Sequence, residues 1–391
     1  MAPTRTLLIV LAGGAGSRLE TLTEHRAKPA LRFGGSHRLI DFPLSHASNS
    51  GIGDVWVVEQ FEPESITAHL AGGRPWDLDR SRGGLMLLGP HQGDEREGWH
   101  AGTADALWRK ADRIRDHGPD VVLVASADAV YRMDYADVVA HHLGSEAEVT
   151  MVTTRHDGDV SRYGVVVVED GRVRDYALKP DDPPSRIVTT EVFAFDPAAL
   201  LRTLEAAARA GAEREEGLGD LGEEVLPAMV ERGTAVEYRH TGYWQDVGTV
   251  PAYWRSHMDL LERPPFDLDD PDWPIRTRAL RHLGARVSEG GRVEDSLLAP
   301  GVVVEGSVRH SVLAPGVQVA PDAEVVDSVL LDDVRVGPGA RVVRSVVDEG
   351  ARVRGRAEVG GEGSEEDITL VGARSVVHPR KRIPAGGRYP E

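Results

Sequence analysis

The C-terminal stretch of the chain is written in a repeat that few folds can accommodate. Asp295-Ser296-Leu297-Leu298, Ser311-Val312-Leu313, Asp327-Ser328-Val329-Leu330 and Arg344-Ser345-Val346-Val347 return at intervals of about 15–17 residues. Within each interval apolar residues come back about every six positions, the spacing of hexapeptide coils in a parallel β-helix. One coil cannot bury its inward valines alone, so coils must stack, and several are present. A set of β-hairpins is the competing arrangement, and the regularity of the period disfavours it.

Ahead of the repeat the pattern changes. From Thr6 to about Leu261, apolar runs at Leu7–Leu11, Val55–Val58, Val121–Ala125, Val149–Thr153, Tyr163–Val168 and Val192–Phe195 alternate with stretches of helical spacing. Those stretches are Ala104–Arg115, Tyr135–Leu143, Ala198–Ala210 and Glu223–Glu231. Continuous apolar runs separated by helices predict an α/β domain with a doubly wound, mostly parallel sheet. Glu262–Pro274, rich in proline and aspartate, can propagate neither helix nor central strand and marks a linker. The expected order is an α/β domain over 1–261, a linker over 262–280 and a β-helix over 281–391. A chain of 391 residues is too long for one ordinary core, which agrees with two domains.

Composition narrows the partners. The chain carries no cysteine, so neither a disulfide framework nor a thiolate metal site is available. A net charge of −18 argues against a general nucleic-acid or anionic-membrane surface. No apolar stretch is long enough to span a bilayer, and the N-terminus lacks a basic-then-apolar leader, so a soluble cytoplasmic protein is expected. Any phosphate site must then be a local pocket.

Such a pocket is written near the N-terminus. Leu11-Ala12-Gly13-Gly14-Ala15-Gly16-Ser17-Arg18 follows the first apolar run, and Arg26-Ala27-Lys28-Pro29 comes soon after. Glycines let backbone N–H groups approach phosphate oxygens closely, and Arg18 and Lys28 neutralise the charge. The loop lies beyond the first strand, where open α/β sheets bind ligands. Gly102-Thr103-Ala104-Asp105-Ala106 opens a helix suited to lining a nucleotide. Asp128 stands just after the run Val121–Ala125, Asp246 lies in Tyr243-Trp244-Gln245-Asp246-Val247-Gly248-Thr249, and Lys179-Pro180 follows Val173–Ala177. Two separated aspartates beside a phosphate loop suggest Mg²⁺, which takes one or two carboxylates alongside substrate phosphates. A metal so held orients a sugar-phosphate oxygen for in-line attack on the α-phosphorus, with pyrophosphate leaving. No Gly-x-Ser-x-Gly element competes, and His91 and His100 match no zinc spacing.

The order of these segments, with Phe33-Gly34-Gly35, Arg38-Leu39-Ile40-Asp41-Phe42, Asn49-Ser50-Gly51-Ile52, Tyr131-Arg132-Met133-Asp134-Tyr135 and Asp246-Val247-Gly248-Thr249, closely resembles the bacterial glucose-1-phosphate adenylyltransferase (ADP-glucose pyrophosphorylase) family. The resemblance spans nearly the whole chain. It implies a nucleotidyltransferase domain joined to a left-handed β-helix, a homotetramer or dimer, and transfer from ATP to glucose 1-phosphate. It also implies that Gly13, Gly14 and Gly16 with Arg18 hold the nucleotide phosphates and that Lys28 assists pyrophosphate. By the same resemblance Leu11, Ala12, Ser17, Gln92, Gly102, Thr103 and Ala104 line the nucleotide. Asp128 and Asp246 hold Mg²⁺, with Arg18, Lys28 and Asp128 catalytic. Lys179 grips the sugar phosphate, with Gly164, Leu178 and Glu191 bordering the ring.

Several positions depart from the family pattern. Gly-Asp-His becomes Ala127-Asp128-Ala129, keeping the metal aspartate alone. Glu-Lys-Pro becomes Leu178-Lys179-Pro180, so an apolar side chain replaces a glutamate that accepts from sugar hydroxyls. In Thr189-Thr190-Glu191-Val192-Phe193-Ala194-Phe195 a carboxylate occupies a glycine position. Losing one well-placed acceptor costs about 1–3 kcal/mol when its partner is left unsatisfied, enough to reshape specificity without ending catalysis. These changes point to a ring other than glucose: a deoxy or amino sugar phosphate, or a cyclitol phosphate of the valienol type in secondary metabolism. An ordinary ADP-glucose enzyme with compensated substitutions is the alternative, and a non-catalytic regulatory subunit is a third. Retention of Arg18, Lys28 and both aspartates disfavours the last. Pro-Ala-Gln-Gln becomes Pro90-His91-Gln92-Gly93, which leaves ATP and GTP both open. His25 replaces the lysine linked with activators, so activation by sugar bisphosphates is expected to be weak or absent.

Overall fold

The computed structural model describes residues 4–13, 16–59, 62, 64–89, 101–213, 218–262 and 264–390. The chain divides into two compact units that do not follow its linear order. Met1–Gly13, Phe42–Ala127 and Tyr131–Trp244 make the first; Gly14–Asp41, Asp128–Val130 and Gln245–Glu391 make the second. Three segments from the α/β stretch of the sequence, 14–41, 128–130 and 245–261, thus belong to the unit that contains the β-helix.

In the first unit nine strands form one sheet. They are β1 (Thr6–Ala12), β2 (Asp54–Glu59), β3 (Gly84–Leu88), β4 (Val121–Ser126), β5 (Val149–Arg155), β6 (Gly164–Glu169), β7 (Arg172–Leu178), β8 (Ile187–Phe195) and β9 (Ala235–Arg239). Their order is β3-β2-β1-β4-β8-β5-β9-β7-β6. Neighbours from β3 to β4 are parallel, whereas β8 and β7 run against the strands beside them. The apolar runs are continuous because both faces are covered. Leu7 and Ile9 pack with Leu107, Ile114, Leu200 and Leu204, while Leu8 and Val10, pointing the other way, are equally buried.

Two of the expected helices are broken. Ala104–Arg115 becomes Thr103–Trp108 and Ala111–His117, with Lys110 leaving helical geometry between them and its ammonium reaching the Gly89 carbonyl at 3.1 Å. Glu223–Glu231 becomes Leu221–Glu224 and Leu226–Glu231. Pro227 opens the second piece, and proline's missing N–H suits it to a helix start.

In the second unit three parallel sheets of six strands each build the left-handed β-helix. Val304, Val319, Val336, Val353 and Val377 stack as one inward column, and Val308, Val325, Val342, Val359 and Ile383 as another. The serine period has a specific cause. Ser311 N–H donates to Ser296 Oγ (3.1 Å), Ser328 N–H to Ser311 Oγ (3.1 Å) and Ser345 N–H to Ser328 Oγ (3.2 Å). Each hydroxyl of Ser311, Ser328 and Ser345 in turn donates to the carbonyl two residues earlier. The residue before each ladder serine, Asp295, His310, Asp327 or Arg344, has a positive φ of 42–48° and turns the corner. Thr369 succeeds Ser345 in register after a longer coil.

Candidate functional site

In the second unit, Gly16 ends the glycine loop with φ 64° and leads into the 3₁₀ turn Ser17–Thr23. A Cβ on Gly16 would lie 3.0 Å from Thr23 Cγ2 and 3.2 Å from Lys28 Cβ, so the loop end is packed against the lysine. Lys28 opens the turn Lys28–Ala30, is buried, and donates from Nζ to Asp128 at 2.9 Å and to Asp246 at 3.0 Å. Burial pushes its ammonium towards neutrality, and the two carboxylates more than offset this, so its pKa is raised overall. Arg18 is exposed. A Cβ on Gly248 would lie 2.7 Å from Asp246 Oδ2 and 3.1 Å from Arg18 Nη2; the glycine makes room for that carboxylate and guanidinium together. Ala129, next to Asp128, is buried.

The first unit holds the remaining described residues of the expected site. Leu11, Ala12 and Gly13 lie at the carboxyl end of β1 and just beyond it. Gly102, Thr103 and Ala104 begin a helix, but their groups already have partners. Thr103 N–H and Oγ1 donate to Asp220 Oδ1 at 2.9 and 3.1 Å, and Ala104 N–H donates to the Gly219 carbonyl at 3.0 Å. A Cβ on Gly102 would lie 2.4 Å from that carbonyl oxygen. Any part these residues take in holding a nucleotide therefore comes from shape rather than from those N–H groups.

β7 and β6 pair antiparallel with Leu178 opposite Gly164 and Tyr176 opposite Val166. Leu178 packs on the helix start at Gly222, where an added Cβ would meet its Cδ1 at 3.1 Å. Lys179 follows with φ 47°, its N–H bound to the Tyr163 carbonyl, its side chain exposed and without an ion pair among the described residues. Glu191 sits where the pairing of β8 with β5 slips, with φ 59°. That left-handed conformation is one glycine adopts without strain, which gives a backbone reason for a glycine at this position. Gly14 and Gln92 lie outside the described residues.

The Nucleotidyl transferase family profile matches residues 7–263, and the profile "GlmU-like, C-terminal hexapeptide" matches 282–375. The glucose-1-phosphate adenylyltransferase of Thermomicrobium roseum is 42% identical over 301 residues, covering 76% of this chain and 69% of the relative. The proteins of the same name from Acetivibrio thermocellus and Bacillus cytotoxicus are 37% and 36% identical. These two alignments each cover 82% of this chain, and 75% and 85% of the relatives. The chain belongs to the nucleotidyl transferase family.

Three residues of this nucleotidyl transferase escape sequence reasoning. Gly248 is visible only as part of Asp-Val-Gly-Thr, and its role follows from the two side chains it separates. Tyr176 brings its hydroxyl over Gly164 and Gly222, where added Cβ atoms would lie 2.7 and 2.5 Å from it. Burial, then the carboxylates of Glu191, Asp220 and Glu223, push its pKa up, so it stays a neutral donor. Glu59 ends β2 in register with Ala12, buried, with Oε1 lacking a hydrogen bond among the described residues. Burial lifts its carboxyl to about 7. An acidic residue directly after the run Val55–Val58 was the available signal for it.

Proposed function

We propose that the chain is a magnesium-dependent nucleotidyltransferase, a cytoplasmic homo-oligomer converting a nucleoside triphosphate and a sugar-like 1-phosphate to a nucleoside-diphosphate ring and pyrophosphate. The observation that carries this reading is the meeting of Asp128 and Asp246 on Lys28 Nζ. Two carboxylates within 3.0 Å of one nitrogen are close enough to share a cation, and magnesium asks the protein for one or two carboxylates. Bound by Asp128 and Asp246, it would neutralise triphosphate charge and order the phosphate oxygens. Arg18 and Lys28 supply positive charge to the phosphates, Lys28 remaining protonated because of its carboxylate partners. Lys179 takes the ring phosphate, whose oxygen forms a bond to the α-phosphorus as the bond to pyrophosphate breaks. The attacking oxygen is already an anion, so no general base is required.

The ring is not plain glucose on this reading. Leu178 presents a hydrocarbon wall beside Lys179, and Tyr176 offers a hydroxyl donor beneath it, a pairing that suits a ring with a missing or altered hydroxyl. A valienol-type cyclitol 1-phosphate is the foremost such ring, with ATP or GTP as donor. Identity of 42% to a protein named glucose-1-phosphate adenylyltransferase favours the second reading, an ADP-glucose enzyme with compensated substitutions. Pyrophosphate release from ATP and GTP with Mg²⁺ tests both, against glucose, glucosamine, mannose and valienol-type 1-phosphates. Preference for a modified ring supports the first reading. Preference for glucose 1-phosphate with ATP replaces it with the second.

A further inference from the structure

The β-helix presents two exposed faces whose charges are arranged differently. On the sheet that includes Glu324–Val326, Arg341–Val343, Glu358–Gly360 and Arg382–Ile383, arginine alternates with glutamate: Arg341 pairs with Glu324 at 2.8 Å and Arg382 with Glu358 at 2.7 Å. The sheet that begins with Arg286–Val287 carries Arg335 directly opposite Arg352, with Arg354 two residues further along. Adjacent strands stand about 4.8 Å apart, so these like charges stack at a distance that costs stability when nothing lies between them. No carboxylate among the described residues pairs with Arg286, Arg335, Arg352 or Arg354, and all four are exposed. They line a groove of about 410 Å³ together with Ala320 and Gly337, and among the described residues Glu305 is its one acidic lining residue. A Cβ on Gly337 would lie 2.8 Å from the Gly355 nitrogen, so the close stacking of neighbouring coils requires a glycine there.

A concentration of unpaired guanidinium groups opposes the sign of a chain whose net charge is −18. Ligand pockets fall in the range of about 300–1,000 Å³, and arginine's planar fork matches phosphate oxygens two at a time. We infer that this groove binds a small phosphate-bearing metabolite, with Arg335 and Arg352 as its principal ligands. The free phosphate and a polyphosphate chain present the same chemistry to these side chains. The assignment is independent of the reaction proposed above.

The test is calorimetric titration of the full chain at low ionic strength, with inorganic phosphate in one arm and inorganic tripolyphosphate in the other. The proteins compared are wild type, R335E/R352E and R335K/R352K. The groove predicts saturable binding that R335E/R352E weakens by about tenfold or more and that R335K/R352K retains in part. Tighter binding of tripolyphosphate than of phosphate identifies a polyphosphate chain as the source, and equal binding identifies a monophosphate. Binding that R335E/R352E does not change overturns the inference, as does the absence of saturable binding to wild type. Sedimentation of the same proteins supplies the remaining check. An altered mass for R335E/R352E with wild-type phosphate binding makes the face a contact between copies and overturns it also.

Discussion

Lys28 holds together the charge balance on which the proposed chemistry depends, and its neighbours give the sharpest residue-level predictions. Asp128→Asn removes one of the two carboxylates while keeping the side chain's volume, and Asp128 is partly exposed, so the fold should persist. Turnover should fall by about 10²–10³-fold or more, with the far-ultraviolet circular dichroism and melting curve close to wild type. A retained rate would remove Asp128 from the chemistry. Gly248→Ala inserts a methyl 2.7 Å from Asp246 Oδ2 and 3.1 Å from Arg18 Nη2, so both must shift. It should lower kcat/KM by about tenfold or more, since small misplacements are costly. Chelation of magnesium should stop turnover without unfolding, because hydrogen bonds to Lys28 already hold the two carboxylates. Arg18, Lys28, Asp128 and Asp246 were legible because charged residues in such places need a partner or a ligand. Tyr176 and Gly248 were not, since their roles depend on which side chains fold over them.

Among elements, the serine ladder ties the repeat in the sequence to the stability of the coils. Ser328 is fully buried, accepts from Ser345 N–H through its hydroxyl and donates that hydroxyl to the Val326 carbonyl. Ser328→Ala leaves the buried Ser345 N–H short of a partner, while the Val326 carbonyl keeps the Arg344 N–H, and should cost about 1–3 kcal/mol in urea denaturation of the full chain. A loss near zero would mean that relaxation or water restores a partner to the Ser345 N–H. The ladder was legible as a period because each coil must return a hydroxyl to one place. Its continuation at Thr369 was not, because a longer coil breaks the spacing before the threonine restores the register. The same contrast appears in the main sheet. Apolar runs announced its central strands, but the reversal of β7 and β8 is a matter of connection and leaves no trace in hydropathy. The broken helices were half legible: Pro227 was visible in the sequence, whereas Lys110's reach to Gly89 depends on the packed fold.

For the molecule as a whole, chain order and compact unit diverge, and the reason is ionic as well as apolar. Within the second unit Arg26 meets Asp348 at 2.9 Å, and Arg32 grips Asp332 with Nε and Nη2 at 2.7–3.1 Å. These contacts fasten the segment after the glycine loop to the β-helix. Sequence composition could not foretell that arrangement, because each partner lies some three hundred residues from the other. Asp348 is buried, with Oδ2 lacking a hydrogen bond among the described residues. Burial lifts its carboxyl from 3.8 to about 6, against the opposing pull of Arg26. A carboxyl raised in the folded state favours folding most below its unfolded pKa, and that contribution is lost as pH rises through about 6. Between about pH 4 and pH 7, wild type should therefore lose on the order of 3 kcal/mol relative to Asp348→Asn. Parallel urea midpoints for the two proteins across that range would show that Asp348 titrates normally.

Leu178 is the position at which the proposed function turns this nucleotidyl transferase scaffold to a different ring. The most direct measurement is kcat/KM for glucose 1-phosphate in wild type and in Leu178→Glu, which restores the carboxylate acceptor beside Lys179. Weak use of glucose 1-phosphate by wild type is expected, with a gain of about tenfold or more in the variant, in keeping with one recovered hydroxyl partner. Efficient use by wild type, with a loss on introducing the glutamate, would contradict it.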